Sequence, residues 1–133
     1  MRTSIALACL ALALTFAACG GNGSNQDEAQ IRAAITQHLN ALAAKDYAKA
    51  CSYTTEALKQ QVATETKTDS CEKGWESLIS QLPPGQLDEL RKAQVTRIQI
   101  NGDTAEADGT PADLFSGGQR MKKTDGKWLL EKS

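Results

Sequence analysis

Aromatic residues are scarce in this chain: two Trp, two Tyr and two Phe among 133 residues, alongside three Pro and a single His. Each shortage excludes something. One histidine cannot build the His/Cys ligand sets of common zinc sites without distant acidic partners, so no metal site is read. Charge is nearly balanced, 15 basic against 16 acidic residues. With no basic stripe interleaved with aromatics, nucleic acid is not an expected partner. The motifs P-loop, G-x-G-x-x-G, C-x-x-C and H-E-x-x-H are all missing, and no cofactor is expected. No apolar run reaches the ~20 residues that a membrane-crossing helix requires. No internal repeat is evident.

What the chain does have is concentrated at its start. Met1-Arg2-Thr3-Ser4 is a short head with one positive charge, and residues 5–18 are an almost unbroken apolar stretch of small residues and leucines. Fourteen residues are too few for an anchor helix but suit a secretory leader. The stretch ends in Phe16-Ala17-Ala18-Cys19, which resembles the lipobox of bacterial lipoproteins: small residues, then the cysteine whose thiol takes the diacylglyceryl thioether. Phe16 stands where that pattern usually has Leu. Ordinary secretion, with Phe16-Ala17-Ala18 serving as an A-x-A cleavage site, is the nearer alternative. On the lipobox reading, residues 1–18 are a signal peptide, Cys19 is lipidated, and residues 19–25, rich in Gly, Asn and Ser, are a flexible tether. Two acyl chains hold a membrane where one binds only marginally.

Removing 18 of the 133 residues leaves 115, with 14 basic and 16 acidic side chains and a formal charge of −2. That is enough for one domain, 26–133, and not for two. Cys9 leaves with the signal, and Cys51 and Cys71 remain as an even pair in an oxidising exterior, which favours a disulfide.

In residues 26–44, Ile31, Ala34, Ile35, His38, Leu39 and Leu42 recur at three- and four-residue steps, the apolar stripe of a helix, with Asp27 and Gln30 positioned to cap it. Lys45-Asp46 breaks the pattern, and Asp46 can cap a short second helix over 47–52. Thr54 or Thr55 can cap a third, reaching about residue 64. After a Thr-rich loop over 64–69, Ser70 can cap a fourth, with Cys71, Trp75, Leu78, Ile79 and Leu82 on one side and Pro83-Pro84-Gly85 as its stop. Beyond residue 92 the pattern is β-like. Residues 93–100, with Thr96, Ile98 and Ile100 on one face, turn at Asn101-Gly102 into 104–109. A loop over 110–118 leads to a second hairpin, 119–124 and 127–132, turning at Asp125-Gly126 with Trp128 and Leu130 on one face. Helices first and hairpins later predict an α+β fold, N-terminal helices packed on a small antiparallel sheet.

Two of these segments resemble a known family. Residues 39–51, LNALAAKDYAKAC, are similar to the first helix and helix-turn of the NTF2-like (cystatin-like α+β cone) superfamily, and Asp125-Gly126-Lys127-Trp128-Leu129-Leu130 is similar to its closing hairpin. The resemblance implies a cone-shaped α+β domain over about residues 26–132, although the family sheet usually has more and longer strands. Small bacterial lipoproteins of the actinobacterial type join such a domain to a lipobox and carry a Cys pair at the places of Cys51 and Cys71.

His38 is the sharpest site candidate. It lies in the first-helix stripe, eight residues before Asp46, where ketosteroid isomerase-like members of the superfamily place an oxyanion-donating tyrosine. An imidazole there can polarise a carbonyl or act as a base. Those enzymes also need a carboxylate on the first strand after the helices, where this chain has a helix with Cys71 and Trp75; Asp113 is the available substitute. The plainer reading is a core or pocket-lining histidine with a hydrogen-bond partner. Tyr47, Tyr53 and Trp75 are further pocket candidates, although aromatics at helical spacing are usually core. Lys122, Lys123 and Lys127, near Arg120, either meet anionic lipid heads or, split by strand alternation, form a solvated hairpin. With no complete catalytic constellation, the expectation is a non-enzymatic binding or accessory domain of the cell envelope, on the extracytoplasmic face of the membrane. Its partner would be a small apolar ligand or another envelope protein. The alternative is an isomerase-like enzyme using His38.

Overall fold

The stripe read from residues 31 to 42 is the inner face of a long helix. In the computed structural model, which describes residues 22–133, Ile31, Ala34, Ile35, His38, Ala41 and Leu42 are all buried. The leader, Cys19 and the first residues of the expected tether lie outside the described residues. Five helices precede four strands among those described: α1 (Asn22–Ala43), α2 (Tyr47–Ser52), α3 (Glu56–Thr66), α4 (Cys71–Ser80), α5 (Gln86–Lys92), β1 (Gln94–Asn101), β2 (Thr104–Thr110), β3 (Gln119–Thr124) and β4 (Lys127–Leu130). The strands form one antiparallel sheet in the order β1-β2-β3-β4. The fold is α+β, helices followed by a small sheet.

Helix α1 organises two cores. Its first half lays Ile31, Ala34 and Ile35 on the sheet residues Val95, Ala105, Ala107, Met121, Trp128 and Leu130. Its second half places Ala41, Leu42 and Ala43 against Ala50 of α2, Ile79 of α4 and Leu90 of α5. Residues 22–25, expected as tether, are helical instead, and Asp27 lies inside the helix rather than at its cap. Once the stripe is docked, each added residue extends a formed helix and no new nucleus is needed.

The local signals at the other helix starts hold. Asp46 accepts from Lys49 N (3.2 Å), Thr55 from Leu58 N (3.3 Å) and Ser70 from Lys73 N (3.3 Å). Helix ends are less legible. Lys45 and Lys67 take φ of +59° and +55°, and Asp46 N and Thr68 N reach back to the carbonyls of Ala41 and Ala63 (both 2.9 Å). These are Schellman closures with lysine in the left-handed position that glycine usually takes. Helix α3 therefore runs two residues past its expected end. Leu78, assigned to the inner side of α4, is 38% exposed.

In β1 the expected face is corrected. The register slips between Val95 and Arg97, a bulge that drops Thr96 out of the alternation. Val95, Ile98 and Ile100 turn toward the core while Thr96 is exposed. The last hairpin is as read: Asp125 (φ +50°) and Gly126 (φ +77°) give the two left-handed residues of a type I′ turn, and Trp128 and Leu130 are buried. On its free side β4 is covered by the strap after α2, where Leu130 N donates to Tyr53 O and Thr55 N to Leu130 O (both 2.8 Å). That pairing removes an open sheet edge. Gly109 has a steric reason: a Cβ there would sit 2.5 Å from Gln94 O and 2.4 Å from the Phe115 ring.

Cys51 and Cys71 are bonded to each other, tying the end of α2 to the first residue of α4.

Candidate functional site

The residues singled out from the sequence do not converge on one opening. His38 sits at the seam between the two cores, 2% exposed. Its Nδ1 lies 2.9 Å from the carbonyl oxygen of Ala50. A carbonyl can only accept, so Nδ1 carries the proton and donates. The edge of the ring meets Trp75 in a T-shaped contact, centroids 5.2 Å apart at 71°. Burial holds His38 below its ordinary pKa, and the hydrogen bond to the Ala50 carbonyl opposes it as the smaller influence. It lines none of the best-formed surface cavities. This is a histidine with a packing role, joining α1 to α2 and α4.

That placement predicts a pH dependence. The native state resists protonating His38 while the unfolded chain protonates it near its ordinary 6.5. The unfolded state therefore binds more protons, and stability falls as the pH drops below about 6.5. With a single His in the chain, its share of the slope is at most about 1.4 kcal/mol per pH unit, one proton's worth. Urea unfolding at pH 7, 6 and 5 should show it, and His38→Asn should flatten it; an unchanged slope in the variant would assign the effect elsewhere.

The other pocket candidates scatter. Tyr47 packs with Trp75 against the helical core, and its hydroxyl is pushed above its ordinary pKa by burial and then by Glu76. Tyr53 packs on the sheet-side core. Asp113 is exposed and lies in the loop before β3, on the rim of a cavity of about 180 Å³ with Glu89, over a floor that includes Leu82, Leu90 and Leu114. That cavity does not include His38, so the pairing of His38 with Asp113 is not formed. Trp75 Nε1 and Gln61 Oε1 are enclosed without a hydrogen-bond partner among the described residues.

Asp27, a cap candidate in the sequence, instead bridges the first helix to the last hairpin. Asp27 Oδ1 accepts from Lys123 Nζ and from Trp128 Nε1, both at 2.9 Å, and Lys123 Nζ lies 5.7 Å from the centre of the Trp128 ring. The indole N–H first, and the ammonium second, hold the Asp27 carboxyl below its ordinary pKa. The three residues clasp the start of α1 to β3 and β4. Lys123 is thus occupied, whereas Lys122 and Lys127 are exposed, as alternation implies. Strand alternation alone carries a signal for Trp128 facing inward; nothing local pairs it with Asp27, 101 positions away.

Arg32 bonds the Val95 carbonyl and Arg91 Nη2 that of Ala43 (3.1 Å). No group of three or more His, Cys, Asp and Glu side chains arranged for a metal occurs among the described residues. None of their helices is long and apolar enough to cross a membrane. The chain matches no family model, no curated protein and no solved structure.

Proposed function

We propose that this chain is a membrane-anchored extracytoplasmic lipoprotein whose folded part is a non-enzymatic binding or accessory domain of the cell envelope. The observation that carries the reading is Phe16-Ala17-Ala18-Cys19 at the end of a fourteen-residue apolar stretch. The Cys51–Cys71 disulfide supports it, since disulfides persist in oxidising compartments outside the cytosol. An NTF2-like assignment for the domain is part of the proposal; its support is a long first helix laid on the buried face of an antiparallel meander, closed by an Asp-Gly-x-Trp hairpin. Between the two partner classes the reading favours another envelope protein. Among the described residues, the apolar cavity floored by Leu82, Leu90 and Leu114 is about 180 Å³, smaller than the ~300 Å³ at which small-molecule sites usually begin. A broader one of about 570 Å³ is lined largely by polar side chains such as Gln99, Glu106, Arg120 and Lys122.

Expression with labelled palmitate, followed by fractionation, tests the anchor. The wild-type chain is expected in the membrane fraction with label and a diacylglyceryl mass on Cys19, and Cys19→Ala is expected to lose both. Membrane retention of Cys19→Ala at the wild-type level would refute the anchor.

A further inference from the structure

We infer that the domain stands on the membrane by one particular end: the start of α1 and the turns Gly102-Asp103 and Asp125-Gly126 face the lipid headgroups, and the end built from α2 to α5 faces outward. The inference rests on the lipid anchor proposed above and adds to it an orientation and a contact surface.

The first argument is length. Asn22, helical in α1, is three residue steps from Cys19. Fully extended chain covers at most ~3.6 Å per residue, so Asn22 lies within about 11 Å of the lipidated residue. A domain of this size has a radius of gyration of roughly 13 Å, so the leash is no longer than the domain's own radius.

The second argument is the clasp. A short leash orients a domain only if the element it pulls on cannot peel away. Asp27, in the second turn of α1, is bonded to both Lys123 and Trp128. The Asp125-Gly126 turn is the next step beyond that pair, because Thr124 pairs with Lys127 and Lys123 with Trp128. Lys123 N also donates to Asp103 O at 2.7 Å, which brings the Gly102-Asp103 turn to the same end. Ala43, at the far end of α1, is sixteen residues from Asp27 and therefore about 24 Å along the axis. There Arg91 of α5 grips it.

Charge does not supply the orientation. Lys122, Lys123 and Lys127 at the membrane-facing end are offset by Asp27, Glu28, Asp103 and Asp125. The contact is with the headgroup layer of zwitterionic and anionic bilayers alike, and salt leaves it in place.

The two tryptophans report the orientation. Trp128 lies at Asp27 and Trp75 beside His38, and these two α1 residues are eleven positions or about 16 Å apart along the helix. The lipidated mature protein, reconstituted in vesicles containing dansyl-labelled phosphatidylethanolamine, is compared as Trp75→Phe, Trp128→Phe, and Trp75→Phe with twelve Gly/Ser residues inserted before Asn22. Transfer to the headgroup dye is expected to be roughly twofold or more stronger from Trp128 than from Trp75, given that offset. It is expected to fall when the leash grows to about 20 Å root-mean-square, and to be the same at low and high salt. If Trp128→Phe does not fold, the leash comparison within the Trp75→Phe protein still decides. Equal transfer from both tryptophans, or transfer from Trp128 unaffected by the insert, on protein that carries the lipid mass, overturns the orientation and leaves the anchor standing. Absence of the lipid mass overturns both.

Discussion

Trp128→Ala is expected to lower the unfolding free energy of the domain by about 3–5 kcal/mol, the usual cost of emptying a large buried aromatic site. Stabilities of single domains are about 5–15 kcal/mol, so this is a large fraction of the total. The ring is 3% exposed in the core between α1 and the sheet. Phe115 and Tyr53 share that core, but both are smaller than the indole and packed at sites of their own. The truncation also removes the indole N–H that Asp27 accepts and the surface beneath Lys123. Asp27 and Lys123 are partly exposed, and such an ion pair is worth little by itself, so most of the loss belongs to the ring. Trp128→Phe separates the parts. It keeps most of the apolar volume and gives up the hydrogen bond, for an expected cost of about 1–2 kcal/mol. Urea unfolding followed by far-ultraviolet circular dichroism measures both. A Trp128→Ala protein within about 1 kcal/mol of wild type, well below the usual range, would show that the sheet-side core does not depend on this ring.

Removing the disulfide, as Cys51→Ala with Cys71→Ala, is expected to cost about 3 kcal/mol, the loop-closure value for residues 20 apart. For a domain of this size that lowers Tm by roughly 10–20 °C. The sequence separation is 20 and the bridge joins α2 to α4. Helix α2 has six residues, far fewer than the ~12–15 at which an isolated helix becomes marginal in water. Its hold on the rest is therefore tertiary: the bridge, the fully buried Ala50, and the Ala50 carbonyl that receives His38. Loss of the bridge should raise amide hydrogen exchange first in residues 47–71, with the sheet protected until global unfolding. The double variant is the informative one, because a single substitution leaves a free thiol. A Tm within about 3 °C of wild type, less than 1 kcal/mol on the same scale, would mean that α2 and α4 are held by packing alone.

These two results probe features of opposite visibility. The disulfide is legible in the cysteine count, since Cys51 and Cys71 are the even pair left once Cys9 and Cys19 are set aside on the lipobox reading. The α1 stripe, the caps Asp46 and Ser70, and a cap at Thr54 or Thr55, of which the structure selects Thr55, are visible for a related reason: each depends on atoms within one helical turn. So are the Asp125-Gly126 turn and the alternation of Trp128 with Leu130. Helix α5 was not foreseen. Its seven residues after Pro83-Pro84-Gly85 are too few to show a period, and its support is remote, Leu90 in the helical core and Arg91 on the Ala43 carbonyl. The bulge at Thr96 also left no trace, since one extra residue in a strand changes no composition. Nor did the lysines that close α1 and α3, because no glycine marks either end.

The candidate site follows the same division. A stripe of 3.6-residue period shows that His38 faces inward, and it does. Whether an inward histidine meets a cavity, a carboxylate or a packed wall depends on which helices arrive beside it. Here α2 brings a carbonyl and α4 an indole, so the ring is sealed. Asp27 is the converse case, a helix-surface carboxylate that gains its two partners only when β3 and β4 arrive about a hundred residues later.

By itself, then, the sequence determined the elements that local sterics and capping dictate, the α+β order, the cysteine pair and the lipobox-like start. Only the tertiary structure decided which polar groups meet. Helix and turn signals are written in neighbouring residues, whose backbones are coupled through a few bonds. Contacts such as Asp27 with Trp128 or His38 with Ala50 arise from how apolar faces stack, and that stacking is a property of the assembled fold.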